Sequence, residues 1–266
     1  RRWSLTRAEL AGIIDGVFIS SGIVNGDMHT QDRLLACAEL LRGKYAFRGY
    51  LHLKLMPGAQ FAQVERGMQL ADRVSINLEA PNAQRLLHYT TRKDFRQELW
   101  QPLAWVEEIR RNRPAVQGWK GHWPSSTTQF VMGGAGESDQ ELLQVSQSLY
   151  AQLKLQRAYY SPFTPHKNTP LENQTPASRK REQRLYQASF LIRDYQYSWE
   201  DLQFDAYGNL PLDQDPKLGW AEKHLQQQPV EINRAGWNEL LHIPGIGPKG
   251  AARILQARRV QVIRDV

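Results

Sequence analysis

The chain has 266 residues, of which 41% are hydrophobic and 23% charged, an ordinary globular composition. Lys and Arg number 34 against 27 Asp and Glu, a net charge of +7 and a pI near 9.5, which suits a polyanionic partner. A single cysteine, Cys37, excludes a disulfide framework or a cysteine metal cluster built from these residues alone, and no apolar run reaches the ~18 residues that span a bilayer.

No signal-peptide pattern is visible, so a cytoplasmic location with no membrane partner is expected. A capping box at Thr6–Glu9 ("TRAE") opens a first helix over 5–14. Asp15 then runs directly into a strand, leaving little room for a crossover, and the Ile14–Asp15 junction is expected to mark a place where residues are missing. Five strands follow, at 16–21, 49–56, 73–80, 127–134 and 157–163. Helical patterns separate them at 30–42, 59–71, 82–113 (with a break) and 138–154, the last opened by a second capping box at Ser138–Glu141. Cys37 falls in "LLACAELL" and is expected to be a buried helical residue. Strand and helix in alternation predict an α/β fold with parallel βα units.

The strands are unusual for a covered parallel sheet, which should be apolar on both faces. Leu51, Leu53 and Leu55 share one face of the second strand, while His52 and Lys54 share the other. In the third strand Val74, Ile76 and Leu78 oppose Ser75, Asn77 and Glu79, and Thr127 and Gln129 add a polar face to the fourth. Buried polar groups need partners or a ligand-filled interior. A partial parallel barrel with a polar lumen satisfies that; a short antiparallel edge with one wet face is the plainer alternative. At the C-terminal end of the first strand, Ser20, Ser21 and Gly22 would lie on the ligand-binding side, though Ser-Ser-Gly is also ordinary turn chemistry.

Residues 162–184 carry four prolines and the cations Arg179, Lys180, Arg181 and Arg184, and read as an irregular connection. The expected organisation is a partial barrel over 1–165, a basic linker over 166–182 and a helical domain over 183–266. That domain contains a helix over 182–198, a loop over 205–219 and a helix pair over 233–258. The stretch 110–123 places Arg110, Arg111, Arg113 and Lys120 beside Trp119 and Trp123. That composition suits stacking with phosphate contact, and equally a helix end whose loop buries its tryptophans.

The tail "LLHIPGIGPKGAARIL" is the most specific feature. Asn233 is expected to cap a helix through Leu241, and Pro248 suits the first turn of the next. Between them Gly245-Ile246-Gly247 forms a tight turn at a helix N-terminus, where backbone amides can hold a phosphate oxygen. Lys249 adds a cation, Gly250 and Ala251 permit close packing, and Ile243 and Ile246 would plug the core. This resembles a helix-hairpin-helix, which grips a DNA backbone, with Arg253, Arg258 and Arg259 nearby. A hairpin used only for packing is the alternative.

Several stretches together, "FISSGI", "GYLHLKLMPGA", "LADRVSINLEAP", "TTQFVMGGAGESDQELL", "YYSPFTP", "REQRLYQASFLIRDY" and "VEINRAGWNELLHIPGIGPKGAARI", resemble the DNA modification/repair radical SAM proteins over nearly the whole chain. The resemblance implies a partial βα barrel (a partial TIM barrel) with a helix-hairpin-helix tail. It implies a [4Fe–4S] cluster, S-adenosylmethionine, and a 5′-deoxyadenosyl radical that takes hydrogen from DNA. The implied partners are DNA, an electron donor protein and, by family association, a uracil-DNA-glycosylase-like protein.

By this resemblance Ser20, Ser21 and Gly22 stand where the methionyl part of the cofactor is held. His52, Lys54, Ser75, Asn77 and Glu79 are candidates for further cofactor or substrate contacts. Tyr159 and Tyr160 are the candidates for handling a substrate or radical, with packing as their other role. Gly245, Ile246, Gly247, Lys249, Gly250 and Arg253 would meet DNA. The family's three-cysteine loop is absent here, and is expected ahead of Arg1 together with the strand that precedes it. Two other functions fit the same residues: a nucleic-acid-binding protein with a silent barrel, and a radical SAM enzyme acting on RNA or protein.

Overall fold

The computed structural model describes residues 14–23, 26–226 and 228–264. The expected first helix and its Thr6–Glu9 capping box lie outside the described residues. Five strands lie side by side in chain order: β1 (Gly16–Ile19), β2 (Tyr50–Lys54), β3 (Arg73–Ser75), β4 (Ser125–Met132) and β5 (Arg157–Pro162). The pairings from β1 through β4 are parallel, which removes the antiparallel alternative. Helices α1 (Asp27–Glu39) and α2 (Phe61–Leu70) make the first two crossovers. A short α3 (Ala83–Leu86), a π-helical turn (Phe95–Trp100) and α4 (Gln101–Asn112) make the third, and α5 (Asp139–Leu153) the fourth.

Alternation sorts the sheet as the sequence predicts. Leu51, Leu53, Leu55, Val74, Ile76 and Leu78 are all buried on one face. A Cβ at Gly67 of α2 would sit 3.1 Å from the tips of Leu53 and Leu55, so glycine lets that helix approach β2 closely. Cys37 departs from expectation: it is exposed on α1, because Leu34, Leu35, Ala38 and Leu41 set the buried stripe and Cys37 falls outside it. Beyond Glu39 the helix widens to π form over Leu40–Lys44, within which Arg42 is buried.

The third strand is shorter than expected, ending at Ser75 instead of Ala80. The Thr128 hydroxyl takes over part of the ladder, donating to the Ile76 carbonyl (2.7 Å) and accepting from the Leu78 amide (3.1 Å). The chain rejoins β4 at Glu79, whose amide donates to the Gln129 carbonyl and whose carbonyl accepts from Val131. Glu79 has φ 65° and lies at the centre of a γ-turn closed by Ala80 N–H on the Leu78 carbonyl (2.7 Å). The positive-φ form of that turn is rare and strained.

The chain divides into two compact units, one reaching Val131 and including Ser148–Ser161, the other comprising Met132–Gln147 and Pro162–Val266. The second therefore includes the loop after β4, not only the residues beyond the expected linker. In that loop the buried Glu137 carboxylate accepts from the Gly133 and Ala135 amides, and the capping box forms between Ser138 and Glu141. Arg181, expected in an irregular linker, belongs to α6 (Arg179–Asp194) and pairs with buried Asp139 at 2.7 Å. Arg184 likewise donates to the Leu212 carbonyl. The expected loop over 205–219 gives way at Pro216 to α7 (Pro216–His224), capped by Asp215.

The last pair, α8 (Trp237–His242) and α9 (Pro248–Ala257), closes on Ala235, Leu240, Leu241 and Ala251, with Ile243 and Ile246 packed beside them. Asn233 does not cap α8. Its side chain ties down Ile263 through amide and carbonyl, while Gly236 caps the helix with Glu239 reaching back to its amide at 2.6 Å. Among the described residues no helix is long and apolar enough to cross a membrane.

Candidate functional site

The polar face of the sheet carries two adjoining cavities that share Ser20, Lys54 and Asn77. The first, about 350 Å³, opens at the C-terminal ends of β1, β2 and β3 and is lined by Ser20, Ser21, Gly22, Lys54, Asn77 and Glu79, with Lys93. The second, about 360 Å³, runs down the face over Phe18, His52, Arg73, Ser75, Thr127 and Tyr159. All eight candidates from Ser20 to Glu79 therefore lie along this continuous surface. Parallel register explains the grouping: Phe18 pairs with His52, His52 with Arg73, and Lys54 with Ser75, so their side chains emerge in rows.

Hydrogen bonds run diagonally from one row to the next. His52 Nε2 lies 2.8 Å from Ser75 Oγ, and Lys54 Nζ donates to Asn77 Oδ1. The Phe18 and His52 rings lie 4.4 Å apart. Burial, with Arg73 and Lys54 nearby, pushes the His52 imidazole down to about 4, so it is neutral at pH 7. Burial also pushes the Lys54 ammonium down to about 8; Glu79 opposes the shift and Lys93 reinforces it.

The His52 shift fixes a sign. The unfolded chain takes up a proton near the ordinary value of 6.5, whereas the folded protein resists until about 4. Stability is therefore lost as pH falls from 6.5 towards 4. A His52→Gln variant is expected to lose less over that range, read as urea midpoints at a series of pH values. Parallel pH profiles for the two proteins would contradict the assignment.

Phe18, Arg73, Lys93 and Thr128 were not among the residues singled out from sequence. Phe18 and Arg73 share the alternation of His52 and were recoverable from the register; Lys93 comes from a loop and carries no such signal. Tyr159 lines the second cavity. Tyr160 alternates to the opposite face, where it is buried and stacked on Phe130, so it does not reach the cavity.

The basic-aromatic stretch is absorbed by the fold. Arg110 donates to the Pro124 carbonyl, Arg111 and Arg113 pair with Glu107 and Glu65, Lys120 donates to the Arg48 carbonyl, and Trp119 lies 3.9 Å beneath Arg42.

At the tail, Ile243–Ile246 form a type II turn: Pro244 precedes Gly245 at φ 82°, and Ile246 N–H donates to the Ile243 carbonyl at 3.1 Å. Gly247 caps α9, Lys249 and Arg253 are exposed, and Ile246 packs inward with its carbonyl accepting from Lys217 Nζ. A Cβ at Gly250 would meet only an ordinary 3.5 Å contact, so close packing rests on Ala251, which is fully buried. Arg258 is engaged by the Ile232 and Ala235 carbonyls.

Fold and site define an α/β protein with a five-stranded sheet and a polar cavity at its strand ends. The chain matches no family model and no curated protein.

Proposed function

We propose that the sheet is the core of a partial βα barrel that binds S-adenosylmethionine at its mouth, that α8 and α9 form a helix-hairpin-helix on a DNA backbone, and that the protein is a radical SAM enzyme acting on DNA. One observation carries the reading. Residues chosen on three strands, by alternation and by resemblance, line one cavity at the strand C-termini.

The chemistry of that cavity suits a zwitterion. Lys54 and Lys93 offer cations to a carboxylate, Glu79 an anion to an ammonium, and Ser20 and Ser21 hydroxyls to either; at Gly22 a ligand can approach the backbone. When bound beside a reduced cluster, S-adenosylmethionine supplies hydrogen abstraction through a 5′-deoxyadenosyl radical. Among the described residues no three His, Cys, Asp or Glu side chains group to hold a metal, and Cys37 is the one thiol. Any cluster needs thiolates beyond it.

Calorimetric titration with S-adenosylhomocysteine is expected to give micromolar binding, weakened at least about tenfold in Lys54→Met and Glu79→Gln, as loss of a charge-assisted bond predicts. Absence of binding at millimolar ligand would overturn the cofactor assignment.

The exposed Lys249 and Arg253 of α9 fit equally a second reading, a nucleic-acid-binding protein without radical chemistry. Iron and acid-labile sulfide in the natural protein purified without oxygen separate the two: about four of each per chain support the enzyme, and none after reconstitution supports the binding protein.

A further inference from the structure

The two cavities differ in charge. The first sets Glu79 among Lys54 and Lys93, whereas the second has Arg73 and Lys54 as its cations and, among the described residues, no carboxylate in its lining. Arg73 is held by neutral groups, Ser125 Oγ at 3.2 Å and Gln156 Oε1 at 2.8 Å, so its charge is oriented and, among the described residues, not cancelled by a bonded anion. His52, uncharged at neutral pH, neither repels nor neutralises an entering anion.

The second cavity also has aromatic walls. Phe18 is 59% exposed, with its ring against His52, and Tyr159 contributes another ring. An aromatic face beside an arginine charge is the pairing that a flat, anionic ligand can use, stacking on the one and bonding the other. Asn77, Thr127 and Gln129 add amides and a hydroxyl that both donate and accept, the chemistry that reads a heterocycle edge. A volume of about 360 Å³ falls within the usual range for small-ligand sites, roughly 300–1,000 Å³.

The geometry points to a nucleoside monophosphate unit as the ligand of this second cavity, with its base against Phe18, its phosphate on Arg73 and its ring edge towards Asn77 and Gln129. The assignment of this unit as substrate rests on the first cavity being the cofactor site; its binding does not. The unit is either a free nucleotide or one residue of a strand turned out of its stack.

The test titrates the four deoxynucleoside 5′-monophosphates, their nucleosides and matching trinucleotides into the protein, with and without S-adenosylhomocysteine. At least one monophosphate is expected to bind about tenfold or more tightly than its nucleoside. Arg73→Gln should erase that preference, and Phe18→Ala should weaken nucleotide and nucleoside alike by about tenfold, the scale of one base–aromatic stack. Circular dichroism and the urea midpoint check that both variants remain folded. Affinity for the monophosphate should fall as pH rises through 8, where Lys54 loses its proton, and the fall should vanish in Lys54→Arg.

Tighter trinucleotide binding identifies a strand as the source, and equal binding a free nucleotide; both support the assignment. Equal affinity for monophosphate and nucleoside, or indifference to Phe18→Ala, overturns it. Nucleotide binding without S-adenosylhomocysteine binding removes the cofactor reading and leaves this cavity assigned; the reverse removes this inference alone.

Discussion

Replacing Arg42 with Met is expected to destabilise the protein by about 3–5 kcal/mol, the cost of stranding a buried partner charge. The guanidinium spends every face. Nε donates to the Leu70 carbonyl, Nη1 to the Phe47 and Gly49 carbonyls, and Nη2 to Asp72 at 2.8 Å, while Trp119 stacks against it. Asp72 in turn accepts from the Leu51 amide, so the pair joins the π-helical turn after α1, the start of β2 and the turn before β3. The two side chains are only 3% and 12% exposed, so water cannot replace what the substitution removes. Arg42→Lys should recover only part of the loss, because an ammonium cannot reach four acceptors in one plane. In urea unfolding, Arg42→Met combined with Asp72→Asn should cost clearly less than the sum of the single changes. Additive losses, or a single loss under about 1 kcal/mol, would mean the network is a bystander.

The second large effect concerns DNA. Gly245→Asp with Gly247→Asp is expected to lower affinity for a 20-base-pair duplex at least tenfold, read by fluorescence anisotropy. Two carboxylates would then face the phosphates that the α9 N-terminus and Lys249 are proposed to hold. Asp is a favoured cap at the Gly247 position, where only the Tyr195 hydroxyl must yield at 3.2 Å; at Gly245 a Cβ meets open space but φ 82° strains any L side chain, so the urea midpoint is measured beside affinity and Gly247→Asp alone is the variant that keeps the turn. Lys249→Ala should weaken binding across sequences and reduce the salt slope by about one, as loss of one phosphate contact requires. Unchanged affinity and slope would assign the hairpin to packing or protein contact.

Much of this architecture was legible because it depends on local periodicity. The start of each strand, the apolar stripe of β2 and the Ser138–Glu141 cap follow from alternation and from side-chain reach. The cavity lining was legible for the same reason, since a polar face on successive parallel strands needs something to contact. What failed was long-range. Nothing near Arg110 or Lys120 in sequence says that carbonyls elsewhere in the fold will use those charges. Asn233 looks like a cap because caps are local, but its partner is Ile263, thirty residues on. Lys93 reaches the cavity from a loop, and the early end of β3 is imposed by Thr128 from the neighbouring strand.

That hydroxyl has a consequence for how the site can change over time. The path of residues 76–79 is held from β4, by Thr128 and by the main-chain bonds of Glu79 to Gln129 and Val131, while the Asn77 side chain adds one bond to Lys54 of β2. Exchanging those two side chains alters what the cavity recognises while leaving the route of the chain intact. Thr128→Val would do the opposite, keeping Asn77 and Glu79 and moving the places from which they are presented. Frame and contact set are thus separately heritable here, so a lineage can drift to a new ligand without first rebuilding the sheet.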